Sequence, residues 1–220
     1  MSRGGAKLDR ITYSKTRKQV LDNIIPQLAW KRLLPFGYLD DKVSIDFLDM
    51  AVIFRCMQPE TGEIPILTKE MAQVLSIGTN DAYCAALRNS RPYIRNLQEI
   101  PEGMVSTGKN LPQLPVPVLY MSDERIRYGA GVMLDRGAIW NASRMLGGDM
   151  VILPYSTDGV LACPLPGGTD PMVFQGGIPG MDGKIQLTGS VYVYDADDDE
   201  IRIARPHDSE EEEEKLCMKN

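Results

Sequence analysis

The spacing of hydrophobic residues changes along the chain from a helical repeat to short apolar runs. Between residues 20 and 28, apolar side chains recur at intervals of three and four, which predicts a helix over about residues 14–34 with a break near Pro26. Residues 47–57 form a longer apolar run with several β-branched side chains, which predicts a buried strand. A partner strand over residues 64–67 would complete a hairpin with it.

Two short helices are predicted next. Thr68 can cap the first helix with its hydroxyl, and the second begins at Thr79 or Asn80 and continues to about Asn89. Five prolines between residues 91 and 117 then predict a connection that is mostly irregular or extended.

The C-terminal half has the pattern of short strands around one helix. The predicted strands cover residues 118–122, 126–134, 150–154, 160–163, 191–194 and 201–204. Asp135 caps a predicted helix over residues 136–146, and its predicted buried face includes Ile139, Trp140 and Met145. The Asp-Gly pair at the end of residues 156–159 marks a hairpin turn.

These elements predict an α+β fold: a small helical subdomain plus a mainly antiparallel sheet that is built from hairpins and packs one helix. The predicted organisation, in chain order, is a basic N-terminal helix over residues 1–35, a strand hairpin with a two-helix subdomain over 36–100, a Pro-rich connection over 101–117, a β-rich α+β subdomain over 118–205 and a disordered acidic tail over 206–220.

Composition and charge narrow the class of protein. The 220 residues are 43% hydrophobic and 25% charged, which is typical of a soluble globular protein. No stretch approaches the ~18 consecutive apolar residues of a membrane span, no signal peptide precedes the first elements, and the four cysteines form no CxxC pair. We therefore expect a cytoplasmic protein that does not bind membranes. The net charge of −6 is uneven, because residues 1–35 carry eight Lys and Arg against two Asp, whereas residues 195–220 carry eleven Asp and Glu against four Lys and Arg.

The sequence offers little catalytic chemistry. The single histidine, His207, falls in the predicted tail, so a Ser–His, Cys–His or His-ligated metal site is not expected in the core. Residues 103–110 approach a phosphate-binding loop but end in Asn110 and lead into prolines rather than a helix. The alternating aspartates of residues 195–199 fit a solvated hairpin turn better than a calcium loop. We predict no cofactor and no metal site.

Six polar residues are the candidates for a binding site. For Asn89 the alternatives are a helix C-cap and an amide presented at a cleft. For Ser156 and Asp158 the alternatives are turn formation and ligand contact. The candidates are Asp49, Arg55, Asn89, Arg91, Ser156 and Asp158.

Several stretches, taken in order, resemble a known family. They are FLDMAVIFRCM at 47–57, ILTKEMAQVLSI at 66–77, AYCAALRNSRP at 82–92, PVLYMSDERIRYGAGVML at 117–134, LGGDMVILPYSTDGVLACP at 146–164 and SVYVYDADDDEIRI at 190–203. The chain is similar over about residues 20–204 to uncharacterised proteins of gut Firmicutes that are catalogued only as a domain of unknown function. The resemblance implies no known activity, and it implies a short member that lacks a further N-terminal region. Where that family tends to have Leu-Pro-Ser-Ser followed by His-Glu, this chain has LPYSTDG at 153–159.

Three functions are open at this point. The first is a non-catalytic protein-interaction module with a protein partner, favoured by the missing histidine and the absent cofactor motifs. The second is a hydrolase that uses carboxylate and arginine chemistry, for which a buried polar cluster with a perturbed carboxylate pKa would be the sign. The third is a nucleic-acid-binding accessory protein of a mobile element, acting through the basic residues between positions 3 and 32.

Overall fold

The computed structural model describes residues 16–100, 116–125, 127–175 and 187–204. These residues form four α-helices, α1 (Arg17–Asp22), α2 (Lys69–Val74), α3 (Thr79–Asn89) and α4 (Arg136–Leu146). They also form nine strands, β1 (Ile24–Trp30), β2 (Ser44–Phe47), β3 (Met50–Cys56), β4 (Pro92–Asn96), β5 (Leu119–Asp123), β6 (Met150–Ser156), β7 (Gly159–Pro164), β8 (Tyr192–Asp195) and β9 (Glu200–Ile203). The predicted connection over 101–117 and the predicted tail over 206–220 lie, apart from residues 116 and 117, outside the described residues.

The strands form two antiparallel sheets. The first has three strands in the order β1-β3-β2, and the second has six in the order β4-β5-β7-β6-β8-β9. The predicted α+β class with a mainly antiparallel sheet is confirmed. Because β4 and β9 are the outermost strands of the larger sheet, each has one edge that no other described strand covers.

The helix predicted over about residues 14–34 is wrong beyond Asp22. Asn23 ends α1, and the following residues form β1, which pairs with β3 from Ile24 opposite Cys56 to Trp30 opposite Met50. The apolar spacing is misleading because β1 is buried on both of its faces, so neither face shows the alternation of a half-exposed strand.

The long apolar run at residues 47–57 contains β3, as predicted, but it starts inside a hairpin. Phe47 ends β2, and Leu48, with a φ of +55°, turns the chain into β3. The predicted partner segment at 64–67 lies beside β3, where the Cys56 N–H donates to the Pro65 carbonyl at 2.9 Å and the Leu67 N–H donates to the Phe54 carbonyl at 2.8 Å.

The strand predicted over residues 126–134 is also wrong, because Gly129–Leu134 is a 3-10 helix whose six residues are all buried. Two glycines allow it to fit between the sheets. A Cβ atom on Gly129 would lie 2.1 Å from Ser122 Oγ, and one on Gly131 would lie 2.7 Å from Pro26 Cγ. The connection predicted to be irregular or extended in turn contains β4.

The remaining predicted elements are present. Thr68 caps α2, Asp135 caps α4, and the β6–β7 and β8–β9 hairpins form where expected. The predicted buried face of α4 is partly wrong: Trp140 is 47% exposed and Met145 is 58% exposed. Small side chains and Ile139 face the sheet instead, and the buried residues of α4 are Ala138, Ile139, Ala142 and Ser143.

A single buried cluster joins the two sheets. It contains Phe54 of the small sheet, Met121 and Ile152 of the large sheet, and side chains of α3 and α4. A second cluster covers the opposite face of the large sheet. The end of α3 and the start of β4 therefore lie at the junction of the two sheets.

Candidate functional site

Two of the six candidate residues, Asn89 and Arg91, contact a buried ion pair at this junction. Arg125 holds Asp123 at the end of β5 with both ends of its guanidinium: Nε donates to Oδ1 at 2.5 Å and Nη2 donates to Oδ2 at 2.7 Å. Asp123 is 8% exposed, so the pair is largely removed from water. A bidentate guanidinium–carboxylate pair of this kind fixes the geometry of both groups.

The carboxylate of Asp123 accepts four hydrogen bonds in total. The backbone N–H of Arg91 donates to Oδ2 at 2.8 Å, and the backbone N–H of Arg125 donates to Oδ1 at 3.0 Å. Burial raises the pKa of Asp123, but the hydrogen bonds from Arg125 and the two backbone N–H groups outweigh it, so the pKa is lowered overall. Asp123 is therefore held as a carboxylate, whereas a general acid needs a raised pKa.

Asn89 ties three segments together. Its side-chain amide donates to the backbone carbonyls of Leu21 at 2.8 Å and Ile24 at 3.0 Å. The backbone carbonyl of Asn89 accepts from Arg125 Nη2 at 2.7 Å. The C-cap of α3 is Ser90, so the prediction of Asn89 as a helix C-cap is wrong. The amide instead bonds the backbone where α1 gives way to β1.

Arg91 contributes through its backbone. Its N–H donates to Asp123, its carbonyl accepts from the Glu124 N–H at 2.9 Å, and its residue surface is exposed. Its guanidinium makes no hydrogen bond or ion pair with another described residue.

Arg55 and Asp158 lie on either side of Tyr128. The Arg55 guanidinium stacks 4.6 Å from the centroid of the Tyr128 ring and donates to the Ile64 carbonyl at 2.7 Å. The backbone N–H of Tyr128, which has a φ of +57°, donates to Asp158 Oδ1 at 2.9 Å. Arg55 thus fixes the ring and Asp158 fixes the backbone of one left-handed residue.

Ser156 and Asp158 form the β6–β7 turn. The Asp158 N–H donates to Ser156 Oγ at 3.1 Å, which closes the turn. The Asp158 carbonyl accepts from Ser122 Oγ at 2.5 Å and from Tyr120 Oη at 3.2 Å. These contacts bind the turn to β5.

Asp49 lies elsewhere, in the β2–β3 turn. It accepts from Trp30 Nε1 at 3.2 Å, from Ser190 Oγ at 2.7 Å and from the Tyr192 hydroxyl. Burial, together with the hydrogen bond to Asp49, raises the pKa of Tyr192 well above its usual value. Asp49 is a second polar link between the two sheets and does not join the cluster around Asp123.

The space beside the Asp123–Arg125 pair is small. A cleft there, lined by Pro26, Ser90 and Tyr128 among others, has a volume of about 10 Å³, which is the room needed by one water molecule. No group of three or more His, Cys, Asp or Glu able to hold a metal ion occurs in the described ranges. The junction is thus a mutually bonded polar network that joins the two sheets.

A groove between β4 and α4 forms a second opening on the surface. It encloses about 750 Å³ and is lined by Pro92, Ile94, Arg95, Asp135, Gly137, Ala138, Asn141, Arg144 and Met145. The exposed edge of β4 forms one wall and one face of α4 forms the other. The groove therefore has a strand and a helix running beside one open channel.

Two arginines give this groove its charge. Arg95 stacks 5.2 Å from the Tyr93 ring centroid and its Nη1 donates to the Ile94 carbonyl at 2.9 Å. Arg144 stacks 4.8 Å from the Trp140 ring centroid on the outer surface of α4. Neither guanidinium forms an ion pair with another described residue.

Neither the ion pair nor the groove is among the features predicted from the sequence. Asp123 and Arg125 fall between the predicted strands over 118–122 and 126–134, although an acid and an arginine two residues apart at a strand end can form a local ion pair. The groove is harder to predict from the sequence, because one of its walls is β4, which lies in a proline-rich segment. Trp140, Arg144 and Met145 do recur at helical spacing, but the sequence-based prediction places Trp140 and Met145 on the buried face of the helix.

The comparisons with known proteins give a family and no function. The sequence pattern of DUF5688, a family of unknown function, matches residues 9–195. The match covers most of the chain, so the chain belongs to this family. No curated protein and no solved structure is significantly similar to the chain. None of the helices within the described residues is both long and apolar enough to cross a membrane.

Proposed function

We propose that this DUF5688 protein is a protein-interaction module that binds an extended segment of a partner protein along β4, in the groove between β4 and α4. The observation that carries the proposal is an edge of β4 that no described strand pairs with, which faces α4 across an opening of about 750 Å³. An extended peptide that adds a strand to such an edge gains backbone hydrogen bonds, and the groove beside it selects side chains.

In the proposed complex, the register of β4 decides which of its backbone groups are turned toward the peptide. The Leu97 N–H donates to the Val118 carbonyl and the Arg91 carbonyl accepts from the Glu124 N–H, so odd-numbered residues bond to β5. Because antiparallel strands alternate, the N–H and carbonyl of Ile94 point away from the sheet, into the groove. Pro92, which has no N–H, limits pairing at the start of the strand.

The observations favour this function over the two alternatives. The junction does contain a buried carboxylate with a perturbed pKa, but the pKa of Asp123 is lowered by its hydrogen bonds, whereas a general acid of a hydrolase needs a raised pKa. For nucleic-acid binding, the basic groups Arg17, Lys18 and Lys31 each form an ion pair with an aspartate of the same chain. The basic residues before position 16 lie outside the described residues.

The test removes one outward N–H from β4. Random twelve-residue peptides are selected by display on the full chain, and the affinity of the selected peptides is measured for the Ile94→Pro and Ile94→Val variants. Proline removes the N–H that faces the groove, whereas valine keeps it and matches the loss of side-chain volume. We expect Ile94→Pro to weaken binding about tenfold or more and Ile94→Val to leave it nearly unchanged.

Circular dichroism and urea unfolding show whether both variants keep the fold. If folded Ile94→Pro binds the selected peptides as tightly as Ile94→Val does, the peptides do not add to β4 and the proposal is wrong.

A further inference from the structure

We infer that the segment bound along β4 is acidic, with carboxylate side chains placed opposite Arg95 and Arg144. This inference rests on the proposed function, which it makes more specific. Both arginines line the groove, and their charge is not balanced by an ion pair with any described residue. A carboxylate is the group that a guanidinium fork binds best, because two parallel hydrogen bonds form at once.

The contacts of Arg95 couple charge recognition to strand addition. Its Nη1 donates to the Ile94 carbonyl at 2.9 Å, and this carbonyl is one of the groups that a bound strand would use. A carboxylate that draws the guanidinium away frees the carbonyl for the N–H of the incoming segment. A neutral segment would have to displace Arg95 from Ile94 without giving it a new partner, so the edge admits acidic segments preferentially.

Arg144 places a second positive charge on the opposite wall. The Trp140 ring supports its guanidinium on one side, and Met145 beside it is 58% exposed. Aromatic, methionine and arginine side chains are the types enriched at protein interfaces. Successive side chains of a strand point to opposite sides. In a segment of alternating acidic and apolar residues, the acidic side chains would therefore contact the arginines and the apolar side chains would contact the apolar surface.

The groove also has a direction. Asp135, whose Oδ1 accepts from the Ala138 N–H at 3.0 Å, lines the groove at the start of α4, and Arg144 follows nine residues later, about 14 Å along the helix axis. That distance corresponds to about four residues of extended chain. The acidic residues of the segment belong at the Arg144 end, because Asp135 repels them at the other.

The test uses fluorescein-labelled eight-residue peptides of alternating Glu and Val, with matched Gln–Val and Lys–Val peptides. Fluorescence anisotropy measures their binding to the full chain at low and high salt. We expect the Glu–Val peptide to bind about tenfold more tightly than the Gln–Val peptide, with a preference that shrinks as salt is added.

Variants locate the binding. Arg95→Gln and Arg144→Gln are each expected to weaken Glu–Val binding about three- to tenfold, and Arg144→Glu is expected to favour the Lys–Val peptide instead. The matched control is Arg202→Gln, which makes the same charge change on β9 at the opposite edge of the sheet. We expect this control to bind the Glu–Val peptide like the unchanged protein.

Three results would overturn the inference. If the Gln–Val peptide binds as tightly as the Glu–Val peptide and Ile94→Pro weakens both, β4 binds strands without a preference for acids, and only the proposed function stands. Glu–Val binding that Arg202→Gln weakens as much as Arg144→Gln would reflect overall charge. Glu–Val binding seen only after residues 210–214 are changed from Glu to Gln would assign the groove to the chain's own acidic segment rather than to a partner.

Discussion

Replacing Arg125 with methionine tests whether the ion pair at the sheet junction holds the two sheets together. Methionine keeps much of the length and apolar volume of the arginine stem but removes the guanidinium. The variant loses the two hydrogen bonds to Asp123 and the one to the Asn89 carbonyl. Asp123 would keep only its two backbone donors while it remains largely buried.

The burial of the pair determines the size of the effect. The side chain of Arg125 is 22% exposed and that of Asp123 is 11% exposed, so solvent screens their attraction only weakly. Breaking a buried pair from one side costs about 3–5 kcal/mol of unfolding free energy, because the remaining charge has lost its partner. Two backbone donors still stabilise Asp123, so we expect a loss of about 2–4 kcal/mol at pH 7.

The pH dependence of this loss is a second readout. The pKa of Asp123 is lowered in the folded protein, so the carboxylate stabilises the fold fully above its unfolded pKa of about 3.9 and loses this effect as the pH falls through the folded pKa. The difference between the unchanged protein and Arg125→Met should therefore shrink as the pH falls below the unfolded pKa of about 3.9 and through the lowered pKa of Asp123 in the folded protein.

Urea unfolding followed by circular dichroism measures both quantities. The matched control is Arg136→Met, which removes an arginine from the ion pair with Asp199, where the Arg136 side chain is 78% exposed. We expect no resolvable change in this control. If Arg125→Met costs no more than Arg136→Met at pH 7, the junction does not depend on the ion pair and the reasoning fails.

Three further perturbations probe the same junction. Gly129→Ala places a Cβ atom 2.1 Å from Ser122 Oγ and should lower the urea midpoint strongly, whereas Gly167→Ala, with nothing within 4 Å of its Cβ, should not; equal midpoints would contradict the packing described. Asn89→Asp removes both amide donors to α1 and β1 and should cost about 1–3 kcal/mol by urea unfolding, and an unchanged midpoint would show that these bonds do not matter. The buried phenol of Tyr192 has a raised pKa, so its contribution to stability is full below its unfolded pKa of about 10 and is lost as the pH rises through the folded pKa. A pH titration followed by absorbance at 295 nm should show one tyrosine that ionises at high pH in the unchanged protein and is missing from the Tyr192→Phe variant. Identical titrations of the two proteins would refute this.

The elements that could be predicted from the sequence are those that begin or end at a capping residue or a turn residue. Thr68 and Asp135 cap helices with their own side chains, and the Asp-Gly pair of the β6–β7 turn closes a hairpin between neighbouring strands. In each case the atoms that decide the structure lie within four residues of one another. Such elements form in the expected place whatever the rest of the chain does.

The elements that were missed depend on distant partners. The strand β1 is extended because it pairs with residues of β3 that lie 20 to 32 positions later in the chain. The 3-10 helix at Gly129–Leu134 is compact because Pro26 and Ser122 pack closely against its glycines. Neither partner is visible in the local spacing of apolar residues. Tertiary packing therefore decides the conformation of these segments against the local pattern.

The contacts of several candidate residues also depend on partners that are distant in the sequence. Asn89, Arg55 and Asp158 were candidates for a binding site, and all three make polar contacts at the junction. What the sequence does not contain is the number of partners each group finds. Because their donors and acceptors are matched, these residues hold the fold, whereas Arg95 and Arg144 in the groove make no ion pair with a described residue.

The residues at the junction and the residues in the groove should therefore affect different properties, namely stability and binding. Within the described residues, no buried side-chain nitrogen or oxygen lacks a hydrogen-bond partner, so the junction has no group reserved for a ligand. Arg95 and Arg144, by contrast, are supported by aromatic rings and make no ion pair there. Changes at Asp123 or Arg125 should lower the free energy of unfolding, and changes at Arg95 or Arg144 should weaken binding of an acidic strand while leaving unfolding nearly unchanged, because only the first pair has a buried partner to lose.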